Sequence, residues 1–303
     1  MRRVLVTGAR GFIGRHVVRH LVDRGLEVHG IVRTDDEGAT GTVCHAVDLT
    51  VPGAATTVVR EIMPDGLIHL AWIATPGKYQ TSPDNLHWLE ATLELHRAFA
   101  AAGGQRAVYA GTCLEYDWSY SLLDEGSTPL APTNPYGLAK ARTGELLVNT
   151  NGPGAPAVSW ARIFYLYGPH EKSGRLVSDI IAGVLSGREV ECTDGRQERD
   201  FMHVDDVAGA LVATLISDYA GAVNIASGVC RPVVSIVEEI IRQTGGRELV
   251  KIGARTGPPN DPPRLAASTS ILRDRIGFRP AFDLPEGIAN TIDWWRHQLG
   301  VLH

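Results

Sequence analysis

The sequence predicts an α/β fold in which a doubly wound parallel sheet carries helices on both faces and a smaller, discontinuous C-terminal lobe is attached. Two observations predict it. An apolar strand near the start breaks into evenly spaced glycines and resumes as a helix, Val4-Leu5-Val6-Thr7-Gly8-Ala9-Arg10-Gly11-Phe12-Ile13-Gly14. Short apolar runs then alternate with stretches of helical period, joined by mostly short connections. Repeated crossovers of this kind build a parallel sheet covered on both sides, which takes its ligands at the carboxyl ends of the strands.

In the first element, Val4 to Val6 read as a strand, and Ile13, Val17, Val18, Leu21 and Val22 recur with helical period up to a stop at Gly25. Gly8 permits the tight turn, Gly11 lets a pyrophosphate approach the main chain, and Gly14 lets the helix lie close on the strand. The spacing is G-x-x-G-x-x-G. With Thr7 before it and Phe12-Ile13 inside it, the segment resembles the extended branch of the short-chain dehydrogenase/reductase superfamily. That resemblance implies a Rossmann-type domain over residues 1–169 and 205–228, a substrate lobe from 170–204 and 229–303, and cofactor contacts at Gly8, Gly11, Phe12 and Ile13.

Glu27 to Arg33 reads as the second strand, whose far end meets the adenosine ribose. An acidic residue there prefers NAD, whereas an arginine pairs with a 2′-phosphate. The chain offers Val32 and Arg33, so NADP(H) is favoured, with Arg10 in the glycine turn as a second phosphate contact. NAD(H) stays open if Asp35 or Asp36 folds back onto the ribose. Val43 to Leu49 is the third strand; the resemblance puts its Asp48-Leu49 pair beside the adenine. Gly66 to Trp72 is the fourth, and its His69-Leu70-Ala71 is similar to the family segment beneath the cofactor, giving Leu70 and Ala71 as contacts and His69 as a packed histidine. A helix follows from Asn85 to Ala102, with Trp88 where relatives carry asparagine. Ala107 to Ala110 is the fifth strand, leading into Gly111-Thr112. The expected order is strand, helix, strand, strand, helix, strand.

The next helix begins at Tyr136-Gly137-Leu138-Ala139-Lys140, placing Tyr136 and Lys140 on one face a turn apart. A phenol titrates near pH 10 and is a poor proton shuttle unless a neighbouring cation favours its ionised form. Lys140 is the expected cation and Tyr136 the general acid/base. Thr112, leaving a strand end, is expected to hold the substrate oxygen. Dehydratases of the family usually place Asp-Glu directly after this threonine; here Cys113-Leu114 stand there, with Glu115 and Asp117 close in sequence. Cys113 reads as a small residue beside the site.

Ala161 to Pro169 looks like the family's strand and Tyr-Gly-Pro turn, with Tyr165 where many relatives contact substrate through asparagine. By family position Arg199 is expected on a nucleotide diphosphate, Arg175 is a weaker candidate, and Arg264 follows the proline-rich run from Gly257 to Pro263. Asp205 reads as the N-cap of a helix to Ile216, and Asp200 and His203 as structural residues.

Composition narrows the function. The formal net charge is −5 and the pI about 6.1, which removes an electrostatic case for nucleic acid or an anionic membrane surface. No run approaches the roughly 18 apolar residues that span a bilayer, and Arg2-Arg3 lead directly into the first strand, so a cytoplasmic protein is expected. Cys44, Cys113, Cys192 and Cys230 are scattered, without zinc-ligand spacing, so no metal is expected. The resemblance then implies a nucleotide-diphosphate sugar as substrate and a homodimer formed through the helices flanking the site. The first reading is an NADPH-dependent ketoreductase of a 4-keto-6-deoxy nucleotide sugar. A 4-epimerase is the alternative, a 4,6-dehydratase fits less well, and a non-catalytic redox sensor is the contrasting class, disfavoured because Tyr136 and Lys140 are both present.

Overall fold

The computed structural model describes residues 1–33 and 41–301. The chain opens with β1 (Arg3–Thr7), α1 (Gly14–Val22), β2 (Glu27–Val32), β3 (Thr42–Ala46), α2 (Ala54–Ile62), β4 (Gly66–His69), α3 (Asp84–Ala101) and β5 (Arg106–Thr112). It continues through β6 (Leu122–Leu123), α4 (Pro135–Val148), β7 (Ala157–Ile163), β8 (Tyr165–Tyr167), α5 (Leu176–Leu185), β9 (Val190–Cys192), β10 (Glu198–His203), α6 (Val204–Ile216) and β11 (Gly221–Ile225). The last elements are β12 (Cys230–Pro232), α7 (Val233–Thr244), β13 (Val250–Ile252), β14 (Arg264–Ala267) and α8 (Leu284–Leu299).

Seven strands form one parallel sheet in the order β11-β7-β5-β4-β1-β2-β3. Alternation along β1 sends Val4 and Val6 to one face, against Val17 and Leu21 of α1 and Val207 and Leu211 of α6. Leu5 goes to the other, against Val58 of α2, Leu95 and Phe99 of α3, and Leu147 of α4. Both faces are thus dry, as a parallel sheet requires. The chain leaves β1 in both lateral directions, so a crevice opens at the carboxyl ends of β1 and β4.

Four features differ from the sequence reading. Helix α2 is an addition: Ala-Ala-Thr-Thr-Val-Val-Arg-Glu-Ile is rich in β-branched residues and starts at a left-handed Gly53, so it lacks helical propensity and a capping signal, yet Ala55, Val58, Val59 and Ile62 pack on the sheet. Strand β4 ends at His69, which frees Leu70 to Trp72 for the crevice, and β3 ends at Ala46. Asp205 is not an N-cap. His203 caps α6, accepting from the Asp205 N–H at 3.3 Å, while the Asp205 carboxylate faces His16, Arg19 and His20 of α1.

A second sheet, β12-β10-β14-β6 with β8 also on β10, lies beside the first. It draws β6 from between β5 and α4, well before residue 170. Helices α5, α7 and α8 enclose a separate core around Ile180, Ile236, Ile240, Ile288 and Ile292. Among the described residues no helix is long and apolar enough to cross a membrane.

Candidate active site

The glycine turn sits at the mouth of the crevice. Gly8 has φ +66°, and a Cβ on Gly14 would lie 2.1 Å from the Gly8 carbonyl oxygen, so α1 can start this close to β1 only without a side chain there. Gly11 is exposed on the outer side of the turn, and Phe12 and Ile13 are partly buried behind it. The Arg10 carbonyl accepts from Arg15 at 2.9 Å.

Below the turn, the Thr7 hydroxyl accepts from the Leu70 and Ala71 N–H groups, both at 3.1 Å, and meets His69 Nδ1 at 2.7 Å. With two donors already on its oxygen, Thr7 donates its own proton to Nδ1. His69 Nε2 therefore carries the hydrogen and donates to the Thr92 hydroxyl at 2.9 Å. Burial first, and the Lys140 charge second, push the His69 pKa down to about 3, which fixes it as a neutral strut.

At the far end of β2, Arg33 is exposed, and its charge reaches Asp48, whose carboxylate accepts from the Thr50 hydroxyl and N–H at 2.6 and 2.9 Å. Leu49 beside it is buried. Asp35 and Asp36 lie outside the described residues.

Thr112 closes β5 and caps the short turn Cys113–Glu115. Helix α4 starts against that turn: Asn134 caps it through the Gly137 N–H at 2.9 Å, Pro135 occupies its first position, and a Cβ on Gly137 would lie 2.6 Å from the Leu114 carbonyl oxygen. This approach brings Tyr136 to Thr112. Burial pushes the Tyr136 pKa up, reinforced by Tyr79, Glu115 and Cys113, while the Thr112 hydroxyl opposes the rise by hydrogen bonding. The sequence reading gave Lys140 the task of lowering that pKa. Instead its ammonium is 6.0 Å from the Tyr136 ring, donates to the Ala110 carbonyl at 2.7 Å, and lies 3.7 Å from the centroid of Trp72. Burial lowers the Lys140 pKa to about 7, with Glu115 opposing. Tyr136 is therefore held in its acid form, and the lysine charge is close to its titration.

Glu115 is sealed behind Thr112. Its Oε1 accepts from the Thr112 N–H at 2.7 Å and from Trp160 Nε1 at 3.0 Å; its Oε2 accepts from Arg162 Nε at 2.8 Å and from Trp160 Nε1 at 2.9 Å. Burial raises its pKa, and Arg162 and the two N–H donors oppose that rise without cancelling it. Asp117 is tied into its own turn by the Ser119 N–H at 2.9 Å. The Cys113 thiol, buried beside Glu115, is pushed up to about 12 and is not a nucleophile.

On the opposite wall, Tyr165 packs against Phe201 at 5.3 Å, with the Arg199 guanidinium 5.9 Å from its ring. Arg199 is buried and paired with Asp261 at 2.5 Å, a partner in the proline-rich run that the sequence reading missed. Arg175 lies 5.5 Å from the Tyr79 ring, which meets Tyr136 edge-on at 4.8 Å. Arg264 is exposed and pairs with Glu198. The structure thus gathers Thr112, Tyr136 and Lys140 at one point, brings Arg175 to it through Tyr79, sets Tyr165 and Arg199 together, and leaves Arg264 on the surface. Trp72, Tyr79 and Asn85 complete the site and were not read as functional, although Trp72 directly follows the His69-Leu70-Ala71 segment.

A parallel sheet with this turn at its crevice, facing a Thr-Tyr-Lys set, defines an enzyme built for dinucleotide-dependent hydride chemistry. Comparison with known proteins gives the family. Residues 4–226 match the model of the NAD dependent epimerase/dehydratase family, and the chain belongs to that family, within the NAD(P)-dependent oxidoreductases and epimerases of the extended short-chain type. It is 27% identical to a dTDP-glucose 4,6-dehydratase of Xanthomonas campestris pv. campestris, over 96% of this chain and 92% of that protein. It is also 27% identical to a UDP-glucose 4-epimerase of Azospirillum brasilense, over 98% and 92%. Among solved structures, MoeE5 in complex with UDP-glucuronic acid and NAD superposes with a TM-score of 0.84 at 30% identity, covering 98% of this chain and 99% of that one.

Proposed function

We propose that the chain is an NADPH-dependent ketoreductase acting on a nucleotide-activated 4-keto-6-deoxy sugar. The observation that carries this reading is the fate of Glu115. Loss of water from a sugar needs a second acid/base pair beside the Thr-Tyr-Lys set, and this carboxylate, three residues after Thr112, is locked by Arg162, Trp160 and the Thr112 N–H. What remains is chemistry at one carbon.

A bound nicotinamide would supply the hydride, and the glycine turn fits a dinucleotide because Gly11 leaves its outer face open. Tyr136 donates its proton to the ketone oxygen as the hydride arrives at carbon, so a secondary alcohol forms. Its raised pKa keeps it protonated at neutral pH, the state a reduction uses and an alcohol oxidation does not. Thr112 holds the same oxygen. Lys140, a turn away, holds the cofactor ribose and returns a proton to Tyr136. Arg33, with Arg10 as a second contact, supports a 2′-phosphate and hence NADPH. Gly8, Phe12, Ile13, Asp48, Leu49, Leu70 and Ala71 complete the cofactor contacts in this reading; Tyr165, Arg175, Arg199 and Arg264 serve the nucleotide sugar. Residues 1–169 with 205–228 form the cofactor domain, residues 170–204 with 229–303 the substrate lobe, and the exposed Leu86, Leu138 and Leu146 of α3 and α4 support a homodimer.

The second reading is a nucleotide-sugar 4-epimerase, which uses the same groups but returns the hydride to the other face. It is supported by the 27% identity, over 98% of this chain, to a UDP-glucose 4-epimerase. Stoichiometry separates the two: the reductase consumes one NADPH per alcohol formed, whereas sugar conversion with unconsumed, substoichiometric cofactor refutes it.

A further inference from the structure

Trp72 sits in the loop just past β4 and is fixed on three sides. Its indole N–H donates to Asn85 Oδ1 at 2.8 Å, its ring stacks on Trp88 at 6.3 Å and 28°, and it meets Tyr136 edge-on at 6.4 Å. Asn85 is 1% exposed and gives its amide hydrogens to the Tyr79 and Ser82 carbonyls, both at 2.8 Å. Both ends of that amide are therefore engaged, and the indole it holds has little freedom to turn. One indole face remains, and the Lys140 ammonium lies on it, 3.7 Å from the centroid.

We propose that Trp72 is a positioning residue for Lys140: its indole face, held by Asn85 and Trp88, keeps the buried ammonium charged and aimed beside Tyr136. This rests on the roles given to Tyr136 and Lys140 above. An ammonium has three hydrogens to satisfy, and Lys140 is 2% exposed with one hydrogen bond to the Ala110 carbonyl. The negative π face takes the place of lost water. The groups facing it from neighbouring elements leave that contribution visible. Glu115, from the turn after β5, favours the charge, although burial raises its own pKa, and Arg162 of β7 partly neutralises it. His69 of β4 is neutral, Cys113 is pushed up to about 12, and Tyr136 of α4 is raised by burial and by Tyr79.

The test uses Trp72→Leu, which removes the π face and keeps apolar bulk, and Trp72→Phe, which keeps a smaller face. Activity that needs the ammonium falls as pH rises through the Lys140 pKa. Trp72→Leu lowers that pKa, so the alkaline limb of kcat/KM moves down by about half to one and a half pH units, and Trp72→Phe recovers most of the shift. The same quantity is read without substrate. The chain has four lysines, Lys78, Lys140, Lys172 and Lys251, so 13Cε-lysine labelling gives a spectrum in which Lys140→Arg assigns the resonance. In the parent the indole ring current moves the Lys140 Hε protons upfield of the other three. In Trp72→Leu that displacement vanishes and the titration midpoint falls. An undisplaced Lys140 resonance in the parent, or an unchanged midpoint in Trp72→Leu, overturns the inference. If Trp72→Leu fails to fold by circular dichroism, Trp72→Phe carries the test through a smaller displacement and an intermediate midpoint. Should no ketone be reduced while the resonance still moves as described, the proposed reaction fails and the positioning role stands.

Discussion

Glu115→Gln is a one-atom change, yet the structure makes it severe. Both carboxylate oxygens face donors: Oε1 the Thr112 N–H and the Trp160 indole, Oε2 the Arg162 guanidinium and the same indole. A glutamine amide has one acceptor end, so its NH2 must oppose either the Thr112 N–H or Arg162. The charge of Arg162, whose side chain is 8% exposed, loses its partner at the same time. Removing one member of a buried pair typically costs about 3–5 kcal/mol. With an unfolding slope near 3 kcal/mol per molar urea, the midpoint falls by at least about 1 M.

The companion variant carries a sign. In Arg162→Met the Glu115 carboxyl keeps two N–H donors but loses its cation, so its folded pKa, already raised by burial, rises further above the unfolded value. A raised pKa favours the folded state at low pH and withdraws that support as pH rises, so Arg162→Met loses more stability relative to the parent at pH 7 than at pH 4. The double variant Glu115→Met with Arg162→Met costs less than the sum of the singles, since neither charge is then stranded. Urea titrations at both pH values measure all three. A loss under about 1 kcal/mol for Glu115→Gln would refute the claim that this carboxylate is fully engaged and would reopen it as an acid/base group.

Tyr136→Phe is expected to lower kcat by about 10²–10⁴-fold while dinucleotide affinity, measured by calorimetry, changes little, because only the proton donor is removed. Gly14→Ala places a Cβ 2.1 Å from the Gly8 carbonyl oxygen; calorimetry should show cofactor binding weakened at least tenfold, and parental affinity would contradict the turn geometry. Burial opposes ionisation of Asp205, but hydrogen bonds from His16 and His20 and the charge of Arg19 win, holding its carboxyl well below the usual range. Its stabilisation is therefore present above the unfolded aspartate pKa near 4 and is lost as pH falls further, so Asp205→Asn should cost about 1–3 kcal/mol in urea unfolding at pH 7 and progressively less toward pH 2.

The parallel sheet and the grouping of Tyr136 with Lys140 were legible in the sequence because each rests on local pattern: β1 breaks into the glycine turn, and the two residues stand one helical turn apart. Helix α2 was not, because Thr56, Thr57, Val58 and Val59 carry neither a helical preference nor a cap, and only the sheet they cover makes them helical. Glu115 could be noticed beside Thr112, but its role depends on Trp160 and Arg162, which are 45 and 47 residues away. The same holds for Arg199. Its charge is visible in sequence, and its neutralisation by Asp261, 62 residues on, is not. Sequence separation of this kind is settled by packing.

That neutralisation changes what substrate binding involves. Arg199 is buried against Tyr165 and already paired with Asp261 and the Glu198 carbonyl, so in the proposed reading a diphosphate arriving there exchanges with a carboxylate rather than meeting an open cation. The net gain is the difference between two anions on one guanidinium, which is smaller than the full charge pairing and depends on where Asp261 goes. Arg264 is likewise matched, to Glu198 on the neighbouring strand of the same sheet. Arg175 is different: it is exposed and lies over Tyr79, the ring that packs on Tyr136. Under the role proposed for Tyr136, an anion drawn to Arg175 acts on the wall of that tyrosine, so the weaker candidate by family position is the one whose occupation couples most directly to the proposed proton transfer.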